Sequence, residues 1–263
     1  MILDIPEQIN KKLGSQCPDK DTVGLSMSSV LIYPEYVLKI SPSGEESSDE
    51  AAMMRWLQGK LPVPKVIEFI SRGGKDYLLM ERLTGEMSCS PGMLRDPEKL
   101  VSLLASSLKM WWAVNPEGCP VDQSLDRKLQ IAEKNVLSGY ASTEDAQPDT
   151  YGPNGYSSPR HLLEWLKENK PKEDSTVTHG DFCLPNLFFS GDTLTGFLDL
   201  SRSGISDKWQ DIALCWRSLK DNLHGRYASH PIEEHYEDLL FKYLELDRDD
   251  KKLRYYILLD ELF

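Results

Sequence analysis

The sequence predicts an α+β protein with a smaller, sheet-bearing N-terminal part and a larger, mostly helical C-terminal part. Short runs of β-branched and aromatic residues dominate up to about residue 81, where they enclose one helical segment. From Pro97 onward apolar residues recur every three or four positions, which is the period of helices with one buried face. At 263 residues the chain has enough material for one large domain or two small ones.

The elements of the N-terminal part follow from local signals. Gly14 ends a short amphipathic helix, and Gly59 is a plausible stop for the helix that begins near Ser47. Gly73 and Gly74 mark a turn between two apolar runs. The predicted elements are a helix over residues 1–14, strands over 23–33 and 36–40, a helix over 47–59, and strands over 61–70 and 76–81.

The C-terminal part alternates helices with one group of short strands. Pro97 suits the first turn of a helix, and Asp207 suits an N-cap. Residues 139–157 are rich in Gly, Pro and small polar residues, which predicts a mobile loop of the kind that covers a substrate. The predicted helices are 97–112, 124–138, 158–169, 207–222, 231–245 and 249–262, and the predicted strands are 176–178, 187–190 and 194–200.

Composition and charge exclude several classes of protein. No apolar run approaches the ~20 residues of a membrane span, and the N-terminus lacks the basic start and apolar stretch of a signal peptide. The five cysteines are odd in number and contain no C-x-x-C, which favours reduced thiols in the cytoplasm. With a net charge of −12 and no Lys/Arg cluster, we expect no nucleic-acid binding. The acidic surface either steers a cationic ligand or serves solubility.

The stretch 176–204 carries the chemistry. His179, Asp181, Asn186 and Asp199 stand at the ends of its apolar runs, where polar groups avoid the core. A hairpin of this length brings Asn186 and Asp199 side by side, with Asp181 presented from the preceding loop. Two oxygen ligands suit a Mg²⁺ ion that binds a nucleotide phosphate. The third carboxylate is then placed to accept a proton from an attacking hydroxyl.

These residues also carry a resemblance. His179-Gly180-Asp181, four intervening residues, Asn186 and then Asp199 resemble the catalytic loop and metal-binding Asp of kinases. The glycine after the histidine, and Leu200 after the metal Asp, are similar to the aminoglycoside phosphotransferase family, most of all to its 3′-phosphotransferase branch. The resemblance covers nearly the whole chain and continues through residues 59–66, 77–81, 199–204, 207–219 and 255–263.

The resemblance implies a bilobal, protein-kinase-like fold, an activity and a set of site residues. Residues 1–84 would form the nucleotide lobe, 86–263 the helical lobe, and 81–85 the hinge. The implied activity is transfer of the ATP γ-phosphoryl group to a hydroxyl, the 3′ one, of an aminoglycoside antibiotic, which confers resistance. Mg²⁺ would lie on Asn186 and Asp199, and Asp181 would be the catalytic residue. The implied nucleotide-binding residues are Ser26, Ser28, Ser29, Lys39, Glu50, Met80, Glu81 and Leu83; the implied substrate-binding residues are Arg202, Asp221, Asn222, Asp260, Glu261 and Phe263.

Several positions deserve separate expectations. Val37 stands where the family often has an aromatic residue that stacks on adenine, and the loop 139–157 offers only Glu144, Asp145 and Asp149 to drug amines. Arg202 either neutralises neighbouring carboxylates or contacts the ligand, Glu50 is the expected partner of Lys39, and Asp211 is expected to steady the catalytic loop. The apolar run 255–259 predicts that the C-terminus is docked and presents an anionic patch to ammonium groups. We expect a monomer.

Three other functions remain open on the sequence alone. The chain could phosphorylate another hydroxyl substrate, such as a macrolide, choline or a metabolic aminosugar. It could be a nucleotide-binding scaffold, although such a protein would be marked by a lost catalytic Asp or metal ligand. A metal hydrolase built on His179, Asp181 and Asp199 would need further ligands, and the spacing of the other four histidines predicts no such cluster.

Overall fold

The computed structural model describes residues 5–20, 28–144, 146–228 and 231–263, with the exception of the side chain of Lys20. An antiparallel sheet lies in the N-terminal part, and most of the remaining chain is helical, so the α+β prediction is confirmed. Ser26 and Asp145, two positions with predicted roles, lie outside the described residues.

The N-terminal part is built on one sheet. Within the described residues this sheet has five antiparallel strands in the order β1-β2-β3-β5-β4. The short first strand was not predicted, since two polar residues carry no alternating pattern. The strands are β1 (Asp19–Lys20), β2 (Ser29–Ile32), β3 (Tyr36–Pro42), β4 (Val66–Arg72) and β5 (Lys75–Glu81).

Alternation along β3 decides which side chains face which helix. Leu38 and Ile40 are buried in a small apolar cluster together with Ile9 and Leu13 of the first helix. Because successive side chains of a strand point to opposite faces, Lys39 points away from that cluster. The sequence thereby delivers a lysine to the face of the sheet that α2 covers.

The helices agree with the predicted ones except near residue 231. Proline stands at the start of α3 and of α5, and Asp96, Ser158, Asp207 and Asp249 accept backbone N–H groups at N-caps. The described helices are α1 (Glu7–Leu13), α2 (Glu45–Leu57), α3 (Pro97–Trp112), α4 (Leu125–Ser138), α5 (Pro159–Glu168), α6 (Lys208–Leu223), α7 (Leu239–Leu244) and α8 (Asp250–Asp260). None of them combines the length and apolar character needed to cross a bilayer.

The helix predicted over 231–245 is wrong in its first half. A 3₁₀ turn over Tyr236–Asp238 precedes α7, and the residues before that turn are not helical. Pro231 has no N–H to donate, and Ile232 is tied back to the end of α6, where its N–H donates to the Leu223 carbonyl at 3.1 Å. This tertiary anchor holds the segment extended.

Short strands lie within and beside residues 176–204, called the catalytic stretch below. Within the described residues β6 (Glu86–Met87), β8 (Leu187–Ser190) and β9 (Thr193–Phe197) form one small sheet, and β7 (Ser175–Thr178) pairs with β10 (Gly204–Asp207). The third predicted strand therefore ends at Phe197 and not at residue 200. The chain turns there because Asp199 adopts a positive φ of 58°.

The C-terminus is docked, as the apolar run 255–259 predicts. Tyr255, Tyr256 and Leu259 are buried in the large core that also contains Trp111. Leu262 is buried as well, and its carbonyl accepts a hydrogen bond of 2.9 Å from the Asn135 side chain of α4. The last residues are therefore held in place on both sides of Asp260.

Shortening a buried side chain of α8 should lower the stability of the protein. We expect Leu259→Ala to lower the free energy of unfolding by about 2–5 kcal/mol, because the substitution leaves a cavity in the core. Urea unfolding followed by circular dichroism measures the change. Leu137→Ala removes the same atoms from an exposed side chain and should cost much less. Equal losses in the two variants would contradict the docked C-terminus.

Candidate active site

Three charged side chains join the N-terminal sheet to the catalytic stretch. The Lys39 ammonium lies 2.9 Å from a Glu50 oxygen and 2.9 Å from Oδ1 of Asp199. Lys39 comes from β3, Glu50 from α2 and Asp199 from the turn after β9. The structure thus brings the predicted Lys39–Glu50 pair together and adds Asp199 to it.

The electrostatics of this group favour the charged forms of Lys39 and Asp199, while burial opposes the charge of Glu50. Burial lowers the pKa of Lys39, but Glu50 and Asp199 outweigh it and raise that pKa above its ordinary value. Burial acts to raise the pKa of Asp199, and the opposing charges of Lys39 and Arg202 bring it below its ordinary value. Glu50 is fully buried, and burial raises its pKa against the effect of Lys39. Removing Lys39 would leave two carboxylates facing each other.

Asp181 and Asn186 lie together in the loop over residues 179–186, called the catalytic loop below because it carries the kinase-like motif. The Asn186 amide nitrogen donates to the Asp181 carboxylate and to its backbone carbonyl, both at 3.0 Å. In the hairpin the Leu198 N–H donates to the Asn186 carbonyl at 2.8 Å, which sets Asn186 beside the residue that precedes Asp199. The convergence predicted from the hairpin is therefore present.

Gly180 is the residue that lets this loop close. Its φ is +85°, and a Cβ added there would lie 1.8 Å from the backbone oxygen of Arg202. Both the left-handed backbone and the close approach require glycine. The second position of the motif is thus dictated by packing against the turn that follows Asp199.

Asp211 holds the catalytic loop through two backbone N–H groups. Its two carboxylate oxygens accept the N–H groups of His179, at 2.7 Å, and Gly180, at 2.8 Å. Gln210 adds a bond of 2.7 Å from its side chain to the Gly180 carbonyl. Burial raises the pKa of Asp211 to about 7, against the two amide donors, which lower it. The carboxylate is placed as expected for a residue that steadies the loop.

His179 belongs to the core of this loop. Its ring packs edge-on against Trp111 at 5.3 Å and Phe182 at 5.8 Å between centroids. Burial lowers the pKa of His179, which favours the neutral imidazole at pH 7. The first residue of the motif therefore supports the loop by packing, and its Nδ1 also accepts the Asp181 N–H at 3.3 Å. The catalytic role of Asp181 remains a prediction.

The described residues predicted to contact adenine and phosphate lie in the N-terminal sheet or directly beside it. Met80 is buried opposite Val37 in the sheet, and Glu81 ends β5 at an exposed position. The Leu83 side chain packs over Gly196 of β9, where any larger residue would collide with it. Ser29 begins β2 with Ser28 just before it, and their predicted contacts with phosphate remain predictions.

The C-terminal carboxylates differ from one another in their partners. Asp260 is ion-paired through both oxygens, with Arg202 at 3.0 Å and Arg217 at 2.7 Å. Burial acts to raise the pKa of Asp260, and the two guanidinium groups lower it. Arg202 also lies 5.0 Å from the centre of the Phe263 ring. Of the two roles open to Arg202, neutralising a carboxylate is the one observed, and Asp260 is not a free anionic group.

The tail also fastens the loop expected to cover the substrate. One oxygen of Glu261 accepts the Gln147 N–H at 2.9 Å and lies 3.3 Å from the Thr150 hydroxyl. The Gln147 side chain lies 3.4 Å from Asp221, while the Asn222 amide donates to the Ser218 carbonyl of its own helix. Burial raises the pKa of Glu261. Asp149 of the loop is paired with Arg254.

Sequence reasoning missed two of these residues. Arg217 looks like an ordinary charge on a helix, and only the fold brings it to Asp260. Gln147 sits in a loop without periodicity, so no pattern marks it as the link between Glu261 and Asp221.

Comparison with known proteins decides the family. Residues 24–243 match the model of the phosphotransferase enzyme family (APH). The chain belongs to this family. The resemblance stated from the motifs is therefore confirmed, and the phosphotransferase can be set beside individual relatives.

Curated relatives match over almost their full length. The phosphotransferase is 35% identical over 257 residues to an aminoglycoside 3′-phosphotransferase of Enterococcus faecalis, which covers 93% of this chain and 92% of that protein. It is 35% identical over 268 residues to one of Niallia circulans, with coverage of 98% and 97%.

Solved structures share the fold. A crystal structure of an aminoglycoside-3′-phosphotransferase of type VIII aligns with a TM-score of 0.77 and 26% identity over 94% of both chains. An aminoglycoside phosphotransferase of Streptomyces rimosus, solved with ADP and streptomycin, aligns with a TM-score of 0.78 at 21% identity over 97% of this chain and 95% of that one. The second likeness concerns the fold alone.

The close approach at Gly180 gives a prediction with a matched control. Gly191 also has a positive φ, of 57°, but a Cβ added there meets nothing within 4 Å. Gly191→Ala should therefore cost only the left-handed backbone, about 1–2 kcal/mol. Gly180→Ala should cost more in urea unfolding and should also abolish phosphotransferase activity. Similar losses in the two variants would contradict the steric argument.

Proposed function

We propose that the protein transfers the γ-phosphoryl group of ATP to a hydroxyl, the 3′ one, of an aminoglycoside antibiotic and so confers resistance. The observation that carries the proposal is that the hairpin joins two contacts, that of Lys39 with Asp199 and that of Asn186 with Asp181. Relatives named aminoglycoside 3′-phosphotransferases at 35% identity support the same reaction. Phosphoryl transfer asks a protein mainly for positioning and charge neutralisation, and these side chains offer both.

The nucleotide would lie between the sheet and the catalytic loop. In this proposal residues 1–84 form the nucleotide lobe, residues 86–263 the helical lobe, and 81–85 the hinge whose backbone meets the adenine. Lys39 holds the α- and β-phosphates, and Glu50 fixes the direction of its ammonium group. Ser26, Ser28 and Ser29 precede or begin β2, where their hydroxyl and N–H groups would face phosphate.

The donor set fits Mg²⁺. Asn186 directs its amide nitrogen to Asp181, so its carbonyl oxygen is the atom left for a cation. Lys39 and Ser201 both contact Oδ1 of Asp199, which leaves Oδ2 for the same ion. Two oxygen ligands that leave room for water and phosphate are typical of Mg²⁺ sites. When bound, Mg²⁺ neutralises charge on the triphosphate.

Asp181 acts on the attacking hydroxyl. Its proposed role is to orient the hydroxyl and to accept its proton while the substrate oxygen forms a bond to the γ-phosphorus. The bond from that phosphorus to the β-phosphate oxygen breaks, and ADP leaves. The hydrogen bond from Asn186 fixes one oxygen of the Asp181 carboxylate and so directs the other.

The amines of the substrate would meet the C-terminal carboxylates unequally. Glu261 and Asp221 accept hydrogen bonds from neutral groups, so each retains its attraction for an ammonium ion. Asp260 is already compensated by two arginines and contributes less. Phosphorylation adds negative charge to a drug that needs positive charge to bind ribosomal RNA, which is the physical basis of resistance. The ATP requirement places the reaction in the cytoplasm.

One experiment tests the activity. The protein is incubated with Mg·ATP and a panel of kanamycin and neomycin drugs, and ADP release and product mass are followed. We expect a mass gain of one phosphoryl group. Asp181→Asn should lower kcat by about 10²–10⁴-fold. The matched control Asp192→Asn changes an exposed carboxylate that pairs with Lys99 in the hairpin turn, and should keep full activity.

Each contrary outcome points to a different protein. ATP binding without turnover of any amine-bearing hydroxyl substrate would indicate a scaffold. Turnover of choline, a macrolide or a metabolic aminosugar, with none of the drugs, would move the substrate class. Hydrolysis of substrate without nucleotide would indicate a metal hydrolase.

The two C-terminal carboxylates should separate in mutants. Glu261→Gln keeps an acceptor for Gln147 but removes the charge, so the KM for drug should rise about tenfold or more while the KM for ATP is unchanged. Asp260→Asn leaves two arginines without their partner and should instead lower the free energy of unfolding by roughly 3 kcal/mol. Steady-state kinetics and urea unfolding measure both. An equal effect of Glu261→Gln on the two KM values would refute this division.

A further inference from the structure

A second cluster of metal-ligating side chains lies at the far end of α6 from Asp211. The sequence predicts that the other four histidines add no ligands to a metal site at His179, Asp181 and Asp199, and this cluster contains none of those three residues. His224, His235 and Glu237 offer ligand atoms that all lie within 4.8 Å of one another. Among the described residues, no other group of three or more histidine, cysteine or carboxylate side chains has ligand atoms this close together.

The carboxylate at the centre of the cluster is buried. Glu237 is 1% exposed, and each of its oxygens faces one imidazole: Oε2 lies 2.8 Å from Nε2 of His224, and Oε1 lies 2.8 Å from Nδ1 of His235. A buried carboxylate is costly unless it is paired or coordinates a metal ion. Two imidazoles converge on it from opposite ends of one loop.

The surroundings of His224 fix which nitrogen is presented. Its Nδ1 lies 2.7 Å from the Ile232 carbonyl, an oxygen that can only accept, so Nδ1 carries the proton. Nε2 lies 2.8 Å from a Glu237 oxygen, which also accepts, so a metal ion bound here would replace the Nε2 proton and take up its lone pair. A histidine that donates one N–H to a backbone carbonyl and presents the other nitrogen is the usual arrangement at metal centres.

We propose that His224 Nε2, His235 Nδ1 and Glu237 bind a divalent transition-metal ion of the zinc class. Two imidazoles and one carboxylate are a known zinc ligand set, with water in the fourth position. Tetrahedral ligands about 2 Å from zinc lie roughly 3.3 Å apart. The two imidazole–carboxylate separations of 2.8 Å would therefore have to widen, and the three ligand atoms already lie within 4.8 Å of one another. Imidazole nitrogens favour zinc over Mg²⁺, which prefers oxygen.

The position of the ion gives it a structural role. His224 caps the C-terminal end of α6, where the helix dipole favours a cation. The other two ligands follow the non-helical segment that replaces the first half of the predicted helix 231–245. The ion therefore clamps the return of the chain onto α6, one turn beyond Asp221. His235 is mostly exposed, which gives the ion a path from solvent.

Calorimetric titration of the tag-free, chelator-treated protein with ZnCl₂ tests the site. Excess MgCl₂ is present throughout so that the proposed Mg²⁺ site at Asn186 and Asp199 does not contribute zinc binding. We expect about one Zn²⁺ per chain, a rise in the thermal unfolding midpoint on binding, and the visible spectrum of tetrahedral Co²⁺ when cobalt replaces zinc. His235→Ala, at an exposed position that the fold tolerates, should weaken zinc binding by about tenfold or more.

The control and the contrary results are equally direct. Glu233→Gln removes a neighbouring exposed carboxylate and should leave the zinc affinity unchanged. No saturable binding to the folded protein, or equal affinity in His235→Ala and the unaltered chain, would overturn the proposal. The cluster would then consist only of imidazole–carboxylate hydrogen bonds. The test does not depend on the proposed kinase activity, because every readout is a binding or stability measurement.

Discussion

The Lys39 ammonium is the group on which the arrangement of the active site depends. It lies on the central region of the N-terminal sheet and contacts a carboxylate of α2 and a carboxylate of the catalytic stretch at 2.9 Å each. Burial alone would favour loss of its proton, and only the two carboxylates retain the charge. Conversely, two carboxylates this close would repel each other without it. The three side chains thus depend on one another, and their contacts tie the sheet to the turn that carries Asp199.

The catalytic loop is held in a different way, by hydrogen bonds from side chains to its backbone N–H and carbonyl groups. Asp211 takes up the N–H groups of two consecutive residues, and Gly180 accepts a contact that no side chain would allow. Because these bonds go to the backbone, they fix the path of the chain without engaging the Asp181 carboxylate. The aromatic packing of His179 completes the support. The residues of this short motif that fix the loop are therefore different from the one proposed to act on the substrate.

Much of this was accessible from the sequence because it is encoded locally. The H-G-D spacing, the hairpin that follows and the apolar run 255–259 each predict a structure that is present. What sequence reasoning missed depends on contacts between distant residues: the Arg217–Asp260 pair, the bond from Gln147 to Glu261, and the anchor at Ile232 that replaces the first half of a predicted helix. Strand β10 was not predicted either, because its strand form depends on pairing with β7 and not on the pattern of its own four residues.

The two adjacent acids at the C-terminus illustrate why position alone does not define a binding group. Asp260 and Glu261 are neighbours in sequence, yet one faces two guanidinium groups and the other faces an amide and a hydroxyl. An approaching ammonium ion gains little from a carboxylate that is ion-paired through both oxygens, and more from one whose hydrogen bonds come from neutral donors. Asp260 therefore serves to organise Arg202, Arg217 and the ring of Phe263, and this in turn sets Glu261 toward the loop that follows α4. Of the two neighbouring carboxylates, Glu261 is the less compensated one, which is why the proposal assigns amine binding to it rather than to Asp260.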